Sequence, residues 1–102
     1  MQDKILRKFF LGFIQIHILH HAKEEPLYGV WMIQELKEHG YDMSPGTLYP
    51  LLHSMESSGL LEMEERTVDG KVRKYYKITV LGIEVLDEAH KKAYELFKEI
   101  RD

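Results

Sequence analysis

The sequence contains no cysteine. Disulfides, thiolate zinc sites, iron–sulfur ligation and a cysteine nucleophile are thereby excluded. The absence fits a reducing compartment, and a cytoplasmic location is expected. No run of about 18 uncharged apolar residues occurs, so no transmembrane helix is expected. Charges at Asp3, Lys4, Arg7 and Lys8 open the chain, and His17, His20 and His21 interrupt the apolar stretch that follows. That pattern does not read as a signal peptide. The chain also lacks G-x-S-x-G, H-E-x-x-H, a glycine-rich phosphate loop and an evident pair of carboxylates, so no enzyme and no cofactor are expected. A cationic excess is missing too. Lys and Arg number 14 against 17 Asp and Glu, for a net charge of −3.

What remains is a chain of 102 residues, 44% hydrophobic and 30% charged. That is the composition of one small soluble globular domain. The placement of charge says more than its total. Between Arg66 and Lys77 stand Arg66, Lys71, Arg73, Lys74 and Lys77, with Asp69 as the single anion. Glu56, Glu62, Glu64 and Glu65 flank this strip on its N-terminal side. A compact basic strip on an acidic protein suits contact with phosphates. Lysines at a solvated hairpin edge give the same pattern, because they discourage edge-to-edge aggregation.

Turn signals divide the chain. Asp3 can cap a helix over 3–22, with Ile5, Leu6, Phe9, Phe10, Phe13, Ile14, Ile16, Ile18 and Leu19 on more than one face. A helix apolar on several sides must be buried on several sides, so one side is expected to meet another subunit. Pro26 breaks the chain, and Val30, Ile33, Leu36 and Lys37 give the spacing of a second helix, Tyr28 to His39, stopped by Gly40. Ser44 and Pro45 have the chemistry of an N-cap and first helical residue. A third helix, with Leu48, Leu51, Leu52 and Met55 on one face, then runs to about Ser58. Pro50 is expected to be tolerated because it lies near the first turn. Leu60–Arg66 and Val72–Ile78 read as strands joined by an Asp69-Gly70 turn. Thr79 caps a last helix reaching the C-terminus. The fold class is therefore mainly α (α+β), a winged helix-turn-helix with an N-terminal helix and a C-terminal dimerisation helix. The winged unit spans 1–79 and the dimerisation helix 80–102.

In such a unit the start of the third helix enters the major groove of DNA. Ser44, Thr47 and Tyr49 can donate to phosphates, as can the free amides at the helix start. Pro45 and Pro50 can touch a thymine methyl, while His53 and Ser54 lie one to two turns further along. Burial of Tyr49 against the wing is the competing reading of that residue. Arg, Asn and Gln are absent from this surface, so shape should weigh more than base-edge readout. Arg73 and Lys74 on the wing are candidates for minor-groove or backbone contact. In the last helix Gly82, Leu86, Ala89, Ala93, Leu96 and Ile100 recur at spacings of 4, 3, 4, 3 and 4, with Val85, Tyr94 and Phe97 beside them. That heptad seam points to a dimer, whose two-fold axis would match two DNA half-sites, and a helix packing back on its own small domain is the competing reading. His17 and His21, four apart and near Glu24, have a spacing metal ligands use, though histidines on a helix are commonly plain surface or interface residues.

Tyr28-Gly29, the run from Ser44 to Leu52, Glu56, Gly59-Leu60-Leu61, and the run from Gly70 to Thr79 with Gly82 together resemble the PadR family of transcriptional regulators. The resemblance covers about Leu27 to Leu86, and the single C-terminal helix is similar to that of the compact subfamily. It implies a homodimeric repressor of operator DNA, with a dimer interface built from the first and last helices. Phe9, Phe13, Leu86, Ala89, Ala93, Leu96, Phe97 and Ile100 are the dimerisation positions expected on that basis. Ser44, Gly46, Thr47, Tyr49 and Pro50 carry over as recognition positions, and Lys71, Arg73, Lys74 and Tyr76 as wing positions. The sequence departs from the family at Ser54-Met55-Glu56, where members usually carry Arg-Leu-Glu. Some members respond to phenolic acids or flat aromatic drugs, so a small aromatic effector is a possible partner. Phe9, Phe13, Trp31, Tyr94 and Phe97 are the aromatics available to it. A winged-helix module that binds protein, and a metal-sensing regulator using the histidines, are the competing functions.

Overall fold

The computed structural model describes residues 3–101, so the domain edges at 1 and 102 lie outside the described residues. The elements run α1 (Lys4–Glu24), β1 (Leu27–Tyr28), α2 (Gly29–Glu38), α3 (Pro45–Ser57), β2 (Leu61–Val68), β3 (Lys71–Ile78) and α4 (Val80–Ile100). Asp3 caps α1, its carboxylate accepting from the Ile5 and Leu6 amides at 2.8 and 3.3 Å. The helix extends past the expected boundary at 22 and ends at Glu24. Nothing in Lys23-Glu24 breaks a helix, whereas Pro26 forces Glu25 into extended backbone (φ −165°, ψ 158°).

β1 was not expected. It is two residues long and pairs antiparallel with β3, Leu27 opposite Tyr76 and Tyr28 opposite Tyr75. The resulting sheet has the order β1-β3-β2. The hairpin is longer than the sequence suggested, pairing Val68 with Lys71 around Asp69 and Gly70. Both turn residues have positive φ, 52° and 78°, as a two-residue type I′ turn requires. Thr79 caps α4 as expected. Its hydroxyl accepts from the Gly82 amide at 3.0 Å and donates to the Gly59 carbonyl. Gly82 itself is forced: a Cβ there would lie 2.3 Å from the Leu60 carbonyl oxygen and 2.6 Å from Ile78.

One core joins the elements. Ile14, Ile18, Leu19 and Ala22 of α1 meet Met32 and Leu36 of α2, Leu48, Leu52 and Met55 of α3, Leu61 of β2 and Tyr76 of β3. Full burial of a side chain of this size contributes about 1.5–3 kcal/mol. The first half of α1 lies outside this core, with Ile5, Leu6, Phe9, Leu11 and Phe13 exposed. In α4 only Gly82 and Leu86 are buried, and every residue over 91–100 is exposed. Of the heptad seam, then, Leu86 is buried against its own subunit's core, at 8% exposure. Ala93, Leu96 and Ile100 are exposed, and Ala89 is half-buried. Among the described residues no helix is long and apolar enough to cross a membrane.

Candidate nucleic-acid interface

The turn between α2 and α3 is tight. The Tyr41 amide donates back to Leu36 at 2.9 Å, and Gly40 takes a positive φ of 88° that favours glycine. Ser44 occupies the N-cap position of α3, and its carbonyl accepts from Thr47 and Leu48. Its side chain does not cap a backbone amide, contrary to expectation, but bonds the Thr47 hydroxyl at 3.2 Å. With Thr47 and Leu48 donating to Ser44 and no N–H on Pro45, the Gly46 amide is the donor left at the start of α3 for an anion. Pro50 falls beyond the first turn, at the sixth residue of the helix. The carbonyl it leaves without an amide partner belongs to exposed Gly46, where water can serve.

Ser44, Pro45, Gly46, Thr47, Tyr49, Pro50 and His53 are all exposed, along one edge of α3. Leu48, Leu52 and Met55 turn the opposite face into the core. Tyr49 lies near Tyr76 at the base of the wing, close enough to add to the rise that burial causes in the pKa of the Tyr76 hydroxyl. The Tyr49 ring lies on α2, so close that a Cβ added to Gly29 would come within 2.5 Å of it, and the residue keeps 40% of its surface. At the departure from the family pattern, Ser54 is exposed and Met55 is buried, while Glu56 lies 3.8 Å from His53.

The wing is less uniformly cationic than its composition. Arg66 is bound by Glu64, and hydrogen bond and charge together hold that carboxyl below its usual range. Lys77 lies 3.7 Å from Glu62. Lys71, Arg73 and Lys74 have no carboxylate partner among the described residues. Strand alternation also separates the candidates. Lys71 and Arg73 share the outer face with Arg66, and Lys74 shares the other face with Glu65. Arg73 stands directly opposite Arg66. Each guanidinium lies over a tyrosine, Arg73 at 4.2 Å from the Tyr28 ring centroid and Arg66 at 4.4 Å from that of Tyr75. Arg73 also donates to the Tyr75 hydroxyl at 3.4 Å, which raises its pKa above the ordinary value.

Tyr76 belongs to the core and is only 5% exposed. Burial pushes its hydroxyl up, with Glu56 and Tyr49 adding to the shift. Its place among wing contacts is corrected: it anchors the base of the wing and does not present a side chain to a ligand. Sequence reasoning missed Tyr28 and Tyr75, which brace the wing arginines. Period two placed Tyr75 with Arg73, but the part played by Tyr28 depends on the β1–β3 pairing.

Known proteins share this arrangement. The Transcriptional regulator PadR-like family matches over residues 18–88. Transcriptional regulator Rv3488 of Mycobacterium tuberculosis is 45% identical over 95 residues, covering 93% of this chain and 89% of that protein. A PadR-like transcription factor from Bacteroides fragilis superposes with a TM-score of 0.83 at 33% identity, over 97% of each chain. A PadR-like transcriptional regulator from Bacillus cereus gives 0.79 at 30% identity, over 97% of this chain and 94% of that one. With sequence, fold and wing in agreement, the chain belongs to the PadR-like family of transcriptional regulators.

Proposed function

We propose that the chain is a homodimeric repressor that binds operator DNA in the cytoplasm and releases it in response to a ligand. The observation that carries this reading is the pairing of an exposed, acid-free start of α3 with three wing cations that form no ion pair with a carboxylate among the described residues. Ser44, Thr47 and Tyr49 offer hydroxyls to phosphates, and Pro45, Gly46 and Pro50 let the helix approach closely in the major groove. His53 reaches toward base edges one turn on. Lys71, Arg73 and Lys74 hold the flanking backbone. Residues 1–79 form the DNA-binding unit and 80–102 the dimerising helix.

The second copy would cover the apolar surface left open in one chain. Phe9 and Phe13 of α1 are exposed, as are Leu96, Phe97 and Ile100 of α4, at 52%, 58% and 68%. An isolated soluble domain rarely leaves so much apolar surface contiguous. A groove of about 700 Å³ runs between α1 and α4, lined by Phe13, Ile16, His17, Leu86 and Ala93 among others. That volume suits a small aromatic effector. Because the groove is made by the two dimerising helices, its occupant would alter the angle between the DNA-binding heads.

Binding to random DNA and to the DNA upstream of the chain's own gene, at two salt concentrations, tests the reading. Preference for the upstream sequence and a steep fall of affinity with salt are expected. No binding at low salt overturns it.

A further inference from the structure

The histidines of α1 do not stand alone. His39, the C-cap of α2, comes up against His17, with ring centroids 4.8 Å apart, and lies 6.4 Å from His21. One ligand nitrogen from each of the three can be chosen so that all lie within 4.8 Å of one another. A carboxylate faces the same point: Glu35 Oε2 is 3.1 Å from His39 Nε2 and 3.6 Å from His21 Nε2. In a tetrahedral zinc site, metal–ligand bonds of about 2.0–2.1 Å place neighbouring donor atoms about 3.4 Å apart. The two Glu35 distances bracket that value.

The surroundings fit the same reading. The Trp31 ring lies edge-on to His21 at 5.4 Å, and the Tyr41 ring edge-on to His17 at 5.6 Å. These walls restrict rotamers, as the shell of a metal site does. Glu24 Oε1 lies 3.5 Å from His21 Nδ1. A proton held on Nδ1 by that carboxylate leaves the Nε2 lone pair facing Glu35, an arrangement that orients metal-bound histidines. His39 is exposed and gives an ion its way in.

We propose that His17, His21 and His39, with Glu35 as fourth donor, form a binding site for one Zn²⁺-like divalent ion per chain. Three imidazoles and one carboxylate select a borderline transition metal over Mg²⁺ or Ca²⁺, which demand oxygen ligands. The site joins α1 to the residue that ends α2, just before the turn into α3. A bound ion would therefore tie the proposed dimer helix to the recognition unit. A second cluster, His20, His21 and Glu24, lies on α1 alone and is the internal control.

The test is a calorimetric titration of the full chain with Zn²⁺ in the absence of DNA, so that its outcome is independent of any DNA-binding result. One ion per chain is expected. His39→Ala and His17→Ala should each weaken binding at least about 10-fold, as should Glu35→Gln, while His20→Ala leaves it unchanged. Co²⁺ in place of Zn²⁺ should give the intense visible absorption of tetrahedral nitrogen–oxygen coordination, lost in His39→Ala. His39 is exposed at a helix end, so that variant keeps its fold, which circular dichroism checks. Absence of binding overturns the proposal. So does binding that survives His39→Ala and is lost in His20→Ala, which would place the ion on the α1 cluster.

Discussion

The charge distribution on the wing makes a prediction that composition alone cannot make. The basic strip holds five cations, yet among the described residues only Lys71, Arg73 and Lys74 form no ion pair with a carboxylate. The pairs Arg66–Glu64 and Lys77–Glu62 are exposed, and such pairs are themselves worth little. What matters is that their carboxylates stay beside them and repel a phosphate. A dimer using three cations per wing engages about six phosphates, for a slope of log affinity against log salt of about −5. Affinity then falls about 10³-fold between about 50 and 200 mM salt. The double variant Arg73→Ala, Lys74→Ala leaves about two contacts per dimer, a slope near −2 and a fall of only about tenfold over the same range. Lys77→Ala should move the slope by much less than Lys74→Ala. Fluorescence anisotropy with labelled upstream DNA, titrated at several salt concentrations, measures each slope. Equal effects of Lys77→Ala and Lys74→Ala would refute the distinction between paired and free cations. An unchanged slope in the double variant would refute the wing's part in binding.

Three further outcomes are expected. Gly82→Ala sets a methyl against the Leu60 carbonyl and Ile78, and overpacking of this kind costs about 1–3 kcal/mol, seen as a lower midpoint in urea unfolding; an unchanged midpoint would contradict the close approach of α4 to Leu60 and the end of β3. Thr79→Ala removes the cap on the Gly82 amide and the bond to the Gly59 carbonyl, for a loss of about 1 kcal/mol by thermal unfolding; no loss would mean that water replaces both bonds. Leu96→Glu with Phe97→Glu should leave the helical circular dichroism unchanged, because both residues are exposed, and should yield a monomer in sedimentation; a persisting dimer would place the interface elsewhere.

Much of the architecture was legible because its signals are local. Asp3, Pro26, Gly40, Pro45, the Asp69-Gly70 pair and Thr79 act on their own neighbours, so they placed the ends of most elements. What escaped depends on pairing between distant segments. β1 is two residues that become a strand only beside β3. The neutralisation of Arg66 and Lys77 follows from period two once the hairpin register is known, since Glu62, Glu64 and Arg66 share a face with Lys77. The same alternation assigns Tyr76 to the core once Met63 stands opposite it. His39 escaped as a partner of His17 because it comes from another helix, 22 residues on. Leu86 fitted the heptad seam equally well as core or interface, and only the packing of α4 on α1 decides between them.

The arginines that face each other across the wing give this segment two opposed responses to ionic strength. Like charges directly opposite on adjacent strands disfavour the hairpin, even when each is braced on a tyrosine. Added salt screens that repulsion and tightens the free wing, while the same salt weakens its hold on a polyanion. The hairpin is therefore least settled in the dilute conditions where nucleic acid binds best.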